Sequence, residues 1–384
     1  MANEDRITPE VRYYPVGNGD TTLIITPTGQ EILVDCKIAE NGEAFDIRAD
    51  LIERLEIRNN RPYLPVFILT HGDEDHIIGF ARTFHTGPPS EYEVSEDEDE
   101  LLPILIGTLW FSPQILNDEE LCEDAEAYRD EALRRLQLHK GNAPDKDKPG
   151  NRIVVIGYTS DETLQDIPDD IRFSAGDIIE SIDHDEEPNF RIFVHAPFRK
   201  DLDNETVKRN DTSIALMAAF DVGATENASK FFFGGDANYA VLEEILRQSR
   251  LHNNESWLEY DVLQTPHHCS WSSFNDTPYS DNRDPSDKVL ELLAHGREGA
   301  QIVASSKPIR EDDDNPPHQA AKREYLSVAG EDKFLCTMEY PDEDSPHPIV
   351  FTVTSFGPAL KRATIASSTT TAVHAQQRTK PEYG

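Results

Sequence analysis

Residues 70–76 read Thr-His-Gly-Asp-Glu-Asp-His and directly follow the apolar run Val66-Phe67-Ile68-Leu69. Four metal-capable side chains, His71, Asp73, Asp75 and His76, therefore fall within six residues at the end of an expected buried strand. Packed this closely, they would repel or stay poorly paired unless a cation neutralised them. Ligands two apart on an extended loop can face one site while Asp75 and His76 reach a neighbouring one, which predicts two adjacent metals. Strand ends are also where ligands sit in α/β folds. The competing reading, an acidic surface turn with helix-capping aspartates, leaves both histidines unexplained.

Asp236 is a second anchor. It follows the apolar strand Phe231-Phe232-Phe233 and two glycines that let the backbone pass close to a ligand. A carboxylate there could bridge two metals, although an aspartate before a helix is also a common N-cap. The pair His267-His268 follows the strand Val262–Gln264. Adjacent histidines point in different directions, so one can ligate metal while the other meets substrate or a neighbouring carboxylate. His195 and His318 are single histidines, at a strand end and in a polar loop, equally suited to ordinary hydrogen bonding. Asn210, Asp211 and Ser213 precede the strand Ile214–Met217 and either line the site or form a turn. Trp271 and Cys269 either wall a pocket or pack.

The elements that must position these groups follow from apolar periodicity. Arg12–Val16, Thr21–Thr26 and Glu31–Asp35, punctuated by Gly17-Asn18-Gly19-Asp20 and Pro27-Thr28-Gly29, predict an antiparallel meander. Asp46–Ile57 reads as a helix, with Ile47, Leu51, Ile52 and Leu55 on one face. Asn117 with Glu120 resembles a capping box before the stripe Leu121, Ala125, Tyr128, Ala132 and Leu136. Further strands are expected at Leu105–Phe111, Ile153–Tyr158, Arg191–His195, Ser213–Phe220 and Lys230–Phe233. Gly234–Ala237 should turn into a helix carrying Leu242, Ile245 and Leu246. Strands near Ile302–Ala304 and Ile349–Val353 flank a helix near Gln319–Leu326.

The 384-residue chain is 37% hydrophobic, enough for a substantial core, and its 25 Pro and 20 Gly imply many loops. Its 73 acidic and 36 basic residues give a formal net charge of −37. That disfavours sequence-blind binding to a nucleic-acid backbone, which needs a basic face. A nucleic-acid substrate is still compatible, because metals supply local positive charge. Four scattered cysteines without a Cys-x-x-Cys pair suggest reduced thiols and a cytoplasmic location. The N-terminus lacks the apolar stretch of a signal peptide. No apolar run is long enough to span a membrane, so no membrane association is expected. Residues 91–100 carry seven acidic side chains, a solvated segment suited to a basic protein partner.

The order of the motifs resembles that of the metallo-β-lactamase fold. More narrowly, it is similar to the soluble hydrolase domain of ComEC, the competence protein of DNA uptake, and its stand-alone relatives. Val16-Gly17-Asn18-Gly19-Asp20 matches the family's Val-Gly-Gln-Gly-Asp-like turn, and Ile32-Leu33-Val34-Asp35 its strand ending in Asp. His71 to His76 match His-x-Asp-x-Asp-His, and Asn210-Asp211-Thr212-Ser213 match Asn-x-x-Ser. Gly235-Asp236-Ala237 and His267-His268-Cys269-Ser270 match the Gly-Asp-Ala and His-His-Gly-Ser turns. Pro316-Pro317-His318 loosely matches a late histidine loop. The likeness spans residues 11–357. It departs at Cys269, where a side chain replaces the usual glycine beside the metals. It departs also in the longer, more acidic stretch 90–190, and in lacking an accompanying membrane channel, so DNA import is not implied.

The resemblance implies an α/β, four-layer αββα sandwich with an acidic insertion. One hydrolase domain would cover 1–360, with the insertion at 90–190, and 361–384 would be a disordered tail. It implies His71, Asp73, Asp75, His76, Asp236 and one of the histidine pair as ligands, with His268 favoured and His267 the alternative. Asp20 and Asp35 would stand behind them. The expected reaction is metal-assisted hydrolysis by a hydroxide shared, like Asp236, between two divalent ions. Asp73 stands where many relatives carry a second histidine, and its oxygen brings Mn²⁺ into range beside Zn²⁺. Asp75, His267, Asn210 and Ser213 are the catalytic candidates, the last three to bind substrate or help protonate the leaving group. A phosphodiesterase or nuclease is the first expectation, acting on a small phosphodiester or a nucleic acid. A lactone, amide or thioester hydrolase is the second, and a metal-binding interaction subunit of a larger complex the third.

Overall fold

The computed structural model describes residues 8–39, 45–92, 102–160, 164–204, 208–312 and 314–362. Most of the acidic run 91–100 and nearly all of the 361–384 tail lie outside the described residues. In chain order the strands are β1 (Glu10–Tyr13), β2 (Thr22–Ile25), β3 (Glu31–Val34), β4 (Glu56–Arg58), β5 (Arg61–Leu69), β6 (Leu105–Phe111), β7 (Arg152–Ile156), β8 (Arg172–Phe173), β9 (Ile178–Ile179), β10 (Ser181–Ile182), β11 (Asp185–Glu186), β12 (Phe190–Ala196), β13 (Ala215–Val222), β14 (Thr225–Phe233), β15 (Tyr260–Gln264), β16 (Gly296–Ala304), β17 (Phe334–Cys336), β18 (Ile349–Thr354) and β19 (Gly357–Lys361). The helices are α1 (Ile47–Arg54), α2 (Glu74–Ile77), α3 (Phe80–Thr83), α4 (Glu123–Lys140), α5 (Arg199–Leu202), α6 (Tyr239–Leu251), α7 (Asp287–Leu293) and α8 (Gln319–Ala329).

One sheet runs β19-β18-β1-β2-β3-β5-β6-β7-β8, with β4 against β5, and the other runs β17-β16-β15-β14-β13-β12-β9. Successive strand residues face opposite sides, and both sides of the central strands are covered. Ile32, Val34, Val66 and Ile68 of the first sheet meet Leu216, Phe231, Phe233 and Val262 of the second in a core between the sheets. Leu33, Phe67 and Leu69 point outward onto Ile47 and Leu51 of α1, Phe80 of α3, and Tyr128 and Leu136 of α4. Met217, Phe232 and Leu263 point the other way onto Leu242 and Ile245 of α6, Leu292 of α7 and Tyr325 of α8. This double coverage explains the unbroken apolar runs. It makes the molecule a four-layer αββα sandwich.

Two local expectations change. The helix expected to reach Ile57 ends at Arg54; Asp46 caps its start, accepting from Ala49 N–H at 3.0 Å, and Glu56–Arg58 becomes β4. No capping box forms between Asn117 and Glu120. The Glu120 N–H donates instead to Asp118 at 3.0 Å, and α4 begins at Glu123. The sheets are tied together where it matters for function, since Ile214 N–H, just before β13, donates to the Thr70 carbonyl just after β5 at 3.0 Å. Among the described residues, no helix is long and apolar enough to cross a membrane.

Candidate metal centre

The loops after β3, β5, β14 and β15 and before β13 meet at one edge of the sandwich, and three buried histidines there share one arrangement. His76 Nδ1 donates to Asp35 Oδ2 at 2.8 Å. His71 Nδ1 lies 3.1 Å from Thr70 Oγ1, and that hydroxyl donates onward to Asp35 at 2.7 Å. His268 Nδ1 lies 3.1 Å from the Ser305 carbonyl. In the neutral tautomer that carries its proton on Nδ1, each ring would turn an Nε2 lone pair inward; Nδ1 of His268 also lies 3.2 Å from the Gly19 N–H. Asp35 is the hub of this support: it also accepts from Thr70 N–H at 2.7 Å, and it sits at φ 58°.

The inward atoms fall into two groups that share Asp236. Its Oδ1 lies 3.0 Å from His76 Nε2 and 3.5 Å from His268 Nε2, while its Oδ2 lies 3.6 Å from His71 Nε2. The two Nε2 atoms of His76 and His268 are 3.1 Å apart, and Asp75 Oδ2 is 3.2 Å from His268. Asp73 Oδ2 is 3.3 Å from His71 Nε2. Ligands about 2.0–2.2 Å from one divalent ion are roughly 3.0–3.5 Å from each other, so these spacings suit such an ion. Asp20, His76, Asp236 and His268 form one group of potential ligand atoms, all buried; His71, Asp73 and Asp236 form another. His71 Nε2, Asp236 Oδ1 and Asp20 Oδ1 are buried without hydrogen-bond partners, a costly state that a cation would relieve.

Electrostatics point the same way. Burial disfavours charge on His71, as does His76, yet Asp236 and Asp73 outweigh both and raise its pKa to about 9. Burial likewise opposes charge on His268, but Asp236, Asp20 and Asp75 raise it to about 10. Asp236 is held well below the carboxylate range, against its own burial, by His76, His268 and His71. The carboxylates thus demand positive charge at this spot, and protons supply it when no metal does.

Local structure frees these groups for that duty. Asn238, not Asp236, caps α6, accepting from Ala240 N–H at 3.0 Å and Val241 N–H at 3.2 Å. Asp73 occupies the N-cap position of α2 but makes no side-chain cap bond. Gly235 has φ 50°, and any Cβ there would collide with Ser213 Oγ. His267, His268 and Cys269 are consecutive left-handed residues at φ 49°, 52° and 67°, a conformation costing of order 1–3 kcal/mol each outside glycine. The Cys269 carbonyl is held by His318 N–H at 2.9 Å.

That turn separates the histidine pair. His268 is buried among the potential ligand atoms. His267 keeps a partly exposed ring whose Nδ1 lies 2.9 Å from Ser272 Oγ and 3.4 Å from Asn210 Nδ2, with Nε2 3.6 Å from Asp236 Oδ2. Ser213 Oγ accepts from Asp236 N–H at 3.1 Å and lies 3.5 Å from His71 Nδ1. Cys269, expected beside the metals, packs instead in the outer core with Trp271 and Phe274, because its left-handed backbone turns the side chain away.

The remaining two histidines stand apart. His195 is buried on the helix side of the second sheet, donating through Nε2 to the Trp257 carbonyl at 3.1 Å, and it lines a cavity of about 530 Å³ with Phe198 and Ile245. His318 caps α8, its Nδ1 accepting from Ala320 N–H at 3.1 Å.

Sequence reasoning missed Thr70, Ser305 and Arg209. Arg209 Nη1 donates to Asp73 Oδ1 at 2.7 Å, and the same guanidinium is bound by Asp118. The available signals were an arginine directly before Asn210 in a strongly acidic chain, and a threonine directly before His71.

No family model and no curated protein matches the chain. Among solved structures it is similar to unliganded yeast PDE1, at 10% identity and a TM-score of 0.39, over 86% of this chain and 96% of that one. Its own sheets and side chains make the chain a four-layer α/β sandwich with a buried aspartate–histidine cluster compatible with metal ions.

Proposed function

We propose that this chain is a metal-dependent hydrolase of the metallo-β-lactamase type, similar to the ComEC soluble domain, and that it cleaves phosphodiesters as a phosphodiesterase or nuclease. The observation that carries the reading is Asp236, which presents one oxygen to His76 and His268 and the other to His71. His76, His268, Asp75 and Asp20 would hold one ion, His71 and Asp73 the other, and Asp236 both; Zn²⁺ and Mn²⁺ suit this donor set. When bound, such a pair lowers the pKa of water and offsets charge developing on the attacked group.

The chain's own groups supply the rest. Burial lowers the pKa of His267, which keeps its imidazole neutral at neutral pH. Its partly exposed ring at the rim of the centre is placed to exchange a proton with substrate. Asn210 steadies that ring. Ser213 steadies Asp236 and His71 and does not attack. We place the chain in the cytoplasm, since Cys36, Cys122, Cys269 and Cys336 are thiols rather than halves of disulfides. The net charge of −37 favours a small phosphodiester, or a strand delivered by a protein bound through segment 91–100, over unaided binding of long nucleic acid.

The test is turnover of bis-p-nitrophenyl phosphate with added Mn²⁺ or Zn²⁺ by the wild type and by Asp75→Ala. Metal-dependent turnover lost in the variant supports the reading. Hydrolysis of lactones or thioesters but not phosphodiesters would assign an acyl substrate instead. A protein that takes up no metal and shows no turnover would leave an interaction subunit.

A further inference from the structure

We propose that the two halves of the centre are unequal cation positions, and that Arg209 is the residue that makes the half built on His71 and Asp73 the weaker one. This rests on the metal-dependent reading above and says how its two positions differ. The half built on His76 and His268 draws on Asp20 and Asp236, both buried, with Asp75 Oδ2 3.2 Å from His268. Among the described residues the other half groups His71, Asp73 and their share of Asp236, with the partly exposed His267 Nε2 standing 3.6 Å from the same Asp236 Oδ2. Ser213 Oγ, 3.5 Å from His71 Nδ1, already accepts from Asp236 N–H at 3.1 Å.

Asp73 is also divided. Its Oδ1 is taken by Arg209 Nη1 at 2.7 Å, which leaves Oδ2 to face His71. Among the described residues, no lysine or arginine forms an ion pair with Asp20, Asp75 or Asp236; Lys37 feels Asp75 and Asp20 but gives its ammonium to the Asn18 carbonyl, so a cation bonded directly to a candidate ligand carboxylate is found on the Asp73 side alone. Arg209 is held there. Asp118 takes Nη2 at 2.8 Å and also binds Nε, and the Glu120 carbonyl takes Nη2 at 2.5 Å. Four of its five N–H donors are committed, and Asp118 is itself nearly buried, which tethers the guanidinium beside Asp73. It acts as a permanent counter-charge to Asp73. An incoming divalent ion must share that carboxylate and approach like charge. Arg209 is therefore a positioning residue that sets ion affinity and does not contact the reacting atoms.

The test uses the full chain, stripped with chelator and dialysed to equilibrium against buffered free Mn²⁺ or Zn²⁺ alone, with bound metal counted by mass spectrometry. In the wild type the second equivalent should require at least about tenfold more free metal than the first. Arg209→Gln should tighten the second equivalent by about tenfold and leave the first unchanged. Arg209→Lys, which keeps the charge, should keep the gap. Asp118→Asn, which leaves the guanidinium uncompensated, should weaken the second equivalent further. A merely structural role would weaken binding in both Arg209→Gln and Asp118→Asn, so the opposite signs are decisive. Two equal equivalents in the wild type, or a second equivalent unchanged or weaker in Arg209→Gln, would overturn the proposal. Equal binding with phosphodiester turnover would refute this inference and leave the hydrolase reading standing; unequal binding without turnover would do the reverse.

Discussion

His268 and His195 are both buried histidines near strand ends, and their surroundings are opposite. His268 has Asp20, Asp75 and Asp236 about it, and its pKa rises to about 10 against its own burial. His195 lies between Phe193 and Phe232, at ring separations of 4.8 and 5.4 Å, and burial, aided by Lys230, depresses its pKa to about 3. The use of Nε2 separates them chemically. His195 spends it on the Trp257 carbonyl, whereas His268 anchors Nδ1 on a carbonyl and leaves Nε2 facing His76 Nε2 at 3.1 Å. Burial alone therefore does not single out a candidate ligand; a ring nitrogen aimed at carboxylates does.

The sharpest way to break that contrast is Asp236→Ala, which removes the carboxylate common to both halves of the centre. Phosphodiester turnover should fall by more than roughly 100-fold, beyond what loss of a supporting residue costs; retained turnover would mean that the cluster is not where the chemistry occurs. Asp35→Asn is expected next. It keeps the shape but weakens the acceptor for His76 and Thr70, and metal affinity should drop by roughly 10–100-fold in a competition titration with a chromophoric chelator.

The aromatic side of the contrast is read through stability. His195 is neutral when folded, and between pH 6.5 and about 3 the unfolded chain binds a proton that the native ring refuses. Stability should therefore decline as pH falls through that window, with a limiting slope of about 1.4 kcal/mol per pH unit from this group. His195→Phe should flatten the acid limb of a denaturant-unfolding series and leave metal content and turnover as in the wild type. Reduced metal content in that variant would erase the distinction between the two histidines. The smallest effect belongs to His318→Ala, where loss of a helix cap should cost about 1 kcal/mol in thermal unfolding without changing turnover.

The parts of this molecule legible in its sequence are those in which neighbours along the chain do one job together. His71 to His76 lie on a single strand end, and Phe231 to Phe233 announce a strand covered on both faces. Arg209 was not legible, because its role depends on Asp73 and Asp118, which other strands bring to it. The different placements of His267 and His268 were not legible either, since three successive left-handed non-glycine residues contradict local preference. The rest of the fold holds them there, including the His318 N–H on the Cys269 carbonyl. Asp236 looked like a helix cap until Asn238, two residues on, proved to fill that position.

The Asn18–Gly19 turn near the start of the chain is fastened to its far end. Asn18 Nδ2 donates to the Pro316 carbonyl at 2.8 Å, Lys307 N–H donates to Asn18 Oδ1 at 3.0 Å, and Ser305 Oγ donates to the Gly19 carbonyl at 2.7 Å. These bonds close loops of 286 to 298 residues. Closures of that span are among the slowest to form, because their entropy is lost before their contacts repay it. Asp20 follows this turn directly, so a nascent chain released before residue 316 would already carry the His71–His76 run and Asp236 without the clasp that seats Asp20 against His268. Completion of the proposed metal centre is thus a late event in the life of each molecule, waiting on the loop that follows β16.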